Sequence, residues 1–148
     1  MPYTTWVDGH VLSAADMTAI TFDPQQADTS GSSTTTSTSY TDLAAGAANG
    51  VTLSLVTGQA VLVIVSGYLK VSAGSGIGFM GYAISGAATV APADADAAAT
   101  TNTQSETVSR ASVYIASTSG SFVFTPKFKV VTAVTLTADN RRIIAKKF

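Results

Sequence analysis

Between Gly58 and Ser72 the chain runs QAVLVIVSGYLKV, residues 59–71, and from Ala60 to Val65 it is apolar without a break. Successive side chains of a strand point to opposite faces, so a strand with one wet face alternates apolar and polar residues. This run does not alternate before Ser66. Its shortness, its four Val and Ile residues and the glycines at 58 and 67 weigh against a buried helix. The run therefore predicts a central strand buried on both faces, with a sheet around it and a second layer above it.

A chain of 148 residues is long enough for one domain with a sizeable core and appendages. Only 11% of it is charged, against roughly 25% in an average soluble domain. Ala, Ser, Thr and Gly take up the difference, which leaves much neutral surface for partners to cover. The net charge of −1 hides an asymmetry. Met1 to Leu69 hold five Asp and no Lys or Arg, giving −5, whereas residues 70–148 hold eight basic and four acidic groups, giving +4. Two readings stand: attraction between neighbouring copies, or charges dispersed on solvated faces.

With no cysteine there is no disulfide framework, thiolate metal site or thiol nucleophile. The N-terminus shows no basic segment followed by an apolar core, and no apolar run approaches the roughly 20 residues that cross a membrane. The expectation is synthesis in a cytoplasm and a soluble or assembled protein without membrane partners. The first basic residue is Lys70, and four of the eight basic groups lie in the last eight residues. That is not the basic, aromatic-interleaved stripe of a nucleic-acid binder.

Residues 1–27 read as an arm. Asp8-Gly9 marks a turn, and Ser13 with Asp16 three residues on resembles a capping box for a short helix over Ala14 to Ile20, ended before Asp23-Pro24. The apolar residues in and around that helix are too many for a free arm in water. Residues 28–39, DTSGSSTTTSTS, contain nothing to anchor a core and read as an extended or flexible linker.

From Tyr40 the signals are β. Strands are expected over Val51 to Val56, the central run, Ile77 to Ile84, Val108 to Ala116, Phe122 to Val131, Val134 to Thr137 and Arg142 to Lys146. Phe122, Phe124, Phe128 and Val130 share one face of the fifth of these, with Thr125, Lys127 and Lys129 on the other. Pro126 within it predicts an edge or a bulge. Asp139-Asn140 is read as a turn between the last two strands. Ala87 to Glu106, small and polar for about 20 residues, is either a crossover or a projecting loop. Seven or eight strands predict an all-β fold, an antiparallel β-sandwich or jelly roll, residues 40–148, behind an arm with one helical turn or short helix.

The usual catalytic constellations fail. His10, the single histidine, lies in the arm, so a Ser-His-Asp arrangement on the body is impossible and an imidazole metal site is limited to one ligand. Asp94 and Asp96 place two carboxylates on alternate residues, but the EF-hand spacing and its closing Glu are missing, and solubilising charges are the better reading. With one glutamate, Glu106, no carboxylate pair suits glycosidase chemistry. Gly76, Gly78 and Gly81 spell G-x-G-x-x-G, yet nothing helical follows them. Gly74, Gly76 and Gly78 instead strip one face of a strand, as close packing of another backbone would require. The reading is a non-enzymatic protein with no cofactor and no metal.

The stretch Thr5 to Phe22, TWVDGHVLSAADMTAITF, resembles the start of accessory structural proteins of tailed bacteriophages. These often begin with a Trp, a Gly-bearing turn and Val-Leu-(Ser/Thr)-Ala-Ala-(Asp)-(Met/Leu)-Asn. Trp6, Gly9, Val11, Leu12, Ala14, Ala15 and Met17 match, and Thr18 departs from the Asn. The motif covers about 20 residues and occurs in head-decoration, head-fibre and minor tail proteins alike. The body resembles, in pattern, compact jelly rolls of trimeric phage proteins and of the tumour-necrosis-factor/C1q-like group. The shared features are a Gly-rich middle strand, Phe-x-Phe-x-Pro-x-Phe and a closing Arg-Arg-Ile-Ile.

The resemblance implies a virion structural protein. It would be a homotrimeric capsid decoration or head-fibre protein on the capsid surface, docked on the major capsid protein through Tyr3, Trp6, Val11, Leu12, Met17, Ile20 and Phe22. Final strands near a threefold axis would make Arg141, Arg142, Ile144 and Phe148 candidate trimer contacts. The alternative is a tail-fibre or tail-tip domain plugged into the baseplate, with residues 87–106 as reader of the host surface.

Overall fold

The computed structural model describes residues 24–43 and 50–148. The arm's docking residues, its expected helix and His10 lie outside them. Nine strands are described: β1 Gln25–Thr29, β2 Ser33–Thr35, β3 Val51–Leu55, β4 Ala60–Val71, β5 Ile77–Gly86, β6 Ala98–Thr100, β7 Glu106–Ile115, β8 Gly120–Val131 and β9 Leu136–Lys147. All pairings are antiparallel. One sheet has the order β1-β9-β4-β7, with β2 also on β9, and the other has the order β3-β8-β5-β6. The chain is an all-β antiparallel sandwich whose strand order is compatible with a jelly roll.

The core lies between the sheets. Val61, Val63, Val65, Leu69 and Val71 of β4 and Leu136, Ile143 and Ala145 of β9 face Met80 and Ile84 of β5 and Phe122, Phe124, Phe128 and Val130 of β8. Tyr114 of β7 packs against the rings of Phe122 and Phe124 at centroid distances of 5.8 and 5.9 Å. The Tyr82 and Ser112 hydroxyls, 2.8 Å apart, hydrogen-bond across the two sheets.

Several elements differ from the sequence expectation, each for a physical reason. β4 is interior in its sheet but buried on one face only: Val61, Val63 and Val65 are sealed, while Leu62 and Ile64 are partly exposed. The segment expected to be a linker is extended, but it lies on the body, where β1 and β2 cover the outer edge of β9. Thr-rich chain is β-branched and suits an edge that is held mainly through the backbone. The two short strands expected around an Asp139-Asn140 turn are one strand, β9. Between Ser66↔Arg142 and Tyr68↔Asp139, β4 has one residue and β9 has two, and Asn140 takes φ 44°. This is a β-bulge, which explains why turn-forming residues sit inside a strand.

Pro126 is the reverse case. β8 is interior, yet its flank is open at this position: β3 pairs no further than Phe124, and the next partner on that side is Thr41 at Phe128. Residues two apart point their amides the same way along a strand. The missing Pro126 N–H therefore falls in the gap and breaks no ladder bond. Of the two readings of 87–106, the crossover is the one observed. The segment bridges back to β5 at Ile84↔Val90, passes a 3-10 turn at Asp94–Asp96, pairs with β5 again through β6, and then enters β7 of the other sheet. The glycines at 78 and 81 lie in a strand, so the dinucleotide motif is a coincidence of spelling. Gly76 and Gly78 make room for the Val134 and Leu136 side chains rather than for another backbone, and Gly74 makes no close approach.

Candidate interaction surface

Each sheet turns one face to the core and one outward, and the two outward faces differ. On the β3-β8-β5-β6 sheet the outward face is dressed. Lys129 Nζ lies 2.7 Å from the Asp94 carboxylate and sits over the rings of Tyr40 and Phe79, 5.0 and 5.2 Å from their centroids. Tyr40 donates its hydroxyl to Asp94, and its ring lies over Gly81, where a Cβ would stand 3.2 Å from the ring. Lys127 pairs with Asp42 at 2.7 Å. Desolvation, with Asp94 as a lesser cause, pushes the Tyr40 phenol well above its ordinary value. Hydrogen bonds from Lys129 and then Tyr40 hold the Asp94 carboxyl below the usual range. Asp94 is thus a structural anchor rather than merely a solubilising charge.

The outward face of the β1-β9-β4-β7 sheet can be read from its register, since directly paired residues share a face. Ala60 pairs with Ile115, Leu62 with Val113 and Lys146, and Ile64 with Ala111 and Ile144. Phe148 extends the row by donating its N–H to Ala60. Val113, Ile115 and Phe148 are 64, 62 and 59% exposed. Further along the same strands the face turns polar, with Ser66 beside Ser109 and Arg142, and Tyr68 beside Thr107 and Asp139. The apolar rows are therefore confined to one end, where the described chain begins at Pro24 and ends at Phe148.

Of the four residues expected to meet at a threefold axis, this register places Arg142, Ile144 and Phe148 on the outward face and Arg141 on the inward one. Arg141 faces inward at 5% exposure, with its Nη2 donating to the Gly31 carbonyl at 3.3 Å and its Nε without a partner. Desolvation lowers the pKa of its guanidinium, with Asp139 pulling the other way. Arg142 faces outward but is paired within the chain to Asp28, which raises its pKa. Ile144 is half-buried on the apolar end, and Phe148 is exposed there beneath Lys146 Nζ, 5.3 Å from the ring. The salt bridges Asp28–Arg142 and Asp42–Lys127 join the acidic front of the chain to its basic back inside one molecule.

Leu62, Ile64, Val113 and Ile115 were not among the residues singled out from sequence. The signal was present in the unbroken run Ala60 to Val65, but an outward apolar face and a second buried face look the same in one dimension. Among the described residues no cluster of three or more His, Asp and Glu side chains is placed to hold a metal ion. What the surface offers is desolvation: apolar side chains in contiguous rows, bordered by polar ones. No protein-family model matches the chain, and no curated protein matches it in sequence.

Proposed function

We propose that this protein is a structural accessory protein of a virion, a homotrimeric capsid decoration or head-fibre protein carried on the capsid surface. Its arm would dock on the major capsid protein, and its body would act without catalysis, cofactor or metal. The observation that carries the reading is the contrast of the two outward faces. One centres on the Lys129–Asp94–Tyr40 cluster and the Lys127–Asp42 pair, while the other, beside its Arg142–Asp28 pair and with Lys146 over Phe148, leaves Val113, Ile115 and Phe148 mostly in water. A protein that works alone in solution rarely leaves such rows bare, whereas one that works within an assembly has them covered. The resemblance of Thr5 to Phe22 to phage accessory proteins supplies the kind of assembly.

The docking step needs only apolar burial. Six or seven arm side chains at ~1.5–3 kcal/mol each give a gross gain of order 10 kcal/mol before ordering costs. Several arms on one oligomer multiply the attachment through effective concentration. The head reading is favoured over a tail-tip reader of host surfaces because residues 87–106 are tied down, at Asp94 by Lys129 and Tyr40 and at Glu106 by Thr100 and Asn102. Binding of the full chain to purified capsids, compared with a chain lacking residues 1–22, tests the reading. The deletion stops short of β1. Loss of binding with an unchanged fold is expected, and undiminished binding would remove the arm from the account. Copy number on the particle separates head from tail: hundreds for decoration, a few for a tail element.

A further inference from the structure

We infer that β1 and β2 form one releasable strap that lifts from β9 while the sandwich stays folded, and that Arg141, buried where the β1–β2 turn meets β9, biases this strap toward opening. The device goes beyond the virion reading and does not depend on what the arm binds. Residue 24 leads directly into β1, so the strap is the first part of the body that a load on the arm reaches.

The strap is held to the body by little besides backbone. β1 pairs with β9 through five residues and β2 through three. Of these eight residues Ser33 alone is buried, and Ala27 is the one apolar side chain, packed on the core. A segment with few buried apolar contacts opens at a lower cost than the core it lies on. Past β2 the chain is held again at Ser37, whose carbonyl accepts the Val130 N–H at 2.8 Å, and at Thr41, which pairs with Phe128. These contacts supply a fixed root on which the strap can swing. β9 does not need the strap to stay in place, because it pairs with β4 through ten residues on its other side.

Two neighbouring arginines act on the strap in opposite directions. Arg142, on the outward face, holds Asp28 of β1 with Nε and Nη2. Both side chains are about half exposed, so that latch is weak. Arg141, on the inward face, is 5% exposed. Its Nη2 reaches the Gly31 carbonyl of the β1–β2 turn at 3.3 Å, its Nε has no partner, and among the described residues no carboxylate forms an ion pair with it. A buried charge so poorly compensated raises the free energy of the closed state. Desolvation correspondingly lowers the pKa of its guanidinium. Lifting the turn returns that guanidinium to water, so closure is opposed from within and latched from outside.

The register supplies the readout. Phe148 donates its N–H to Ala60 of β4, and residues two apart in a strand aim their amides the same way. Ile144 therefore aims its amide at β4, while Ile143 and Ala145 aim theirs at Ala27 and Gln25 of β1. Native-state hydrogen exchange of the full chain, followed by NMR and corrected for intrinsic rates, tests the strap. Ile143 and Ala145 should exchange at least ~100-fold faster than Ile144 between them. Arg141→Met should slow these two amides at least ~10-fold, and Asp28→Asn should speed them up about 3-fold. The chain has no cysteine, and residues 28 and 142 are directly opposed with amides facing apart, the close pair that a disulfide can span. Oxidised Asp28→Cys/Arg142→Cys should bring Ile143 and Ala145 within about 10-fold of Ile144.

Equal rates for Ile143, Ala145 and Ile144 in the wild type would mean that the strap opens only when the sandwich does, and overturn the device. Fast exchange that survives oxidation of the cysteine pair overturns it too, since the amides would then open without the strap lifting. Exchange at Ile143 and Ala145 that Arg141→Met leaves unchanged or speeds up removes Arg141 from the account. No readout involves a capsid, so failure here and failure of the docking reading stay distinguishable.

Discussion

Arg141 shows how little of a residue's role its type reveals. It is nearly sealed, its Nη2 makes one long hydrogen bond to the Gly31 carbonyl, and among the described residues no carboxylate forms an ion pair with it. Burying a charge without a close partner costs free energy, and an apolar side chain of similar length is often neutral or better. Arg141→Met should leave the thermal midpoint unchanged or raise it. Arg141→Ala, which also removes the buried aliphatic stem, should lower stability by about 2 kcal/mol. Equal losses in the two variants would show that the guanidinium head is itself holding the bulge. Asp94 is the opposite case, an exposed carboxylate with partners. Its pKa is depressed, so its contribution is present above the ordinary carboxylate range and fades as pH falls through the lowered value. Asp94→Asn should therefore melt lower by roughly 2 °C at pH 7. The gap should close as pH falls below the lowered value, where the acid is protonated folded or unfolded. Half of the side chain is in water, so high salt should shrink the gap too.

At the scale of elements, β8 was legible because its alternation is clean: Phe122, Phe124, Phe128 and Val130 are all buried, and Lys127 and Lys129 are on the far side. β4 was legible as a strand but not in its orientation. An apolar residue pointing at a partner surface and one pointing into a core are written with the same letters. The bulge at Asn140 was read as a turn because both need left-handed backbone, and what joins the halves of β9 is its pairing with β4, which is long-range. Of the three alternating glycines, Gly76 and Gly78 serve close packing, against side chains rather than a backbone, and Gly74 does not. A Cβ at Gly78 would stand 2.5 Å from Leu136 Cδ1 and 3.0 Å from Val71 Cγ1, both held inside the core. Gly78→Ala should cost about 2 kcal/mol, read as a lowered urea midpoint at unchanged slope. Gly74→Ala, where the nearest atom is 3.8 Å away, should be close to neutral, and the difference between the two isolates packing from backbone entropy.

For the whole molecule, the decisive boundary is where the folded body starts, and composition misleads there. DTSGSSTTTSTS carries no core side chain, yet β1 and β2 lie along a strand that would otherwise be an edge of twelve residues, with the buried Ile143 and Ala145 within it. A long exposed edge is a template for pairing with other chains. Removing residues 1–22 should leave the body's melting temperature and solubility within error of the full chain. Removing residues 1–36 takes away both strands and the Asp28–Arg142 bridge. Losing that cover, at a net ~1 kcal/mol for each hydrogen bond lost, should lower the midpoint by roughly 10 °C or more and drive aggregation. Two truncations that differ by fourteen residues thus separate a tether from a wall. If the shorter body melts and stays dispersed as well as the longer one, the segment is only a tether. The arm would then be joined to the sandwich by slack chain, and its docking would be independent of how the body is held. If it collapses, the arm emerges from the sheet itself, at the rim of the apolar end. Docking through the arm then fixes the direction in which that end faces, because Gln25 is already clamped to Ala145.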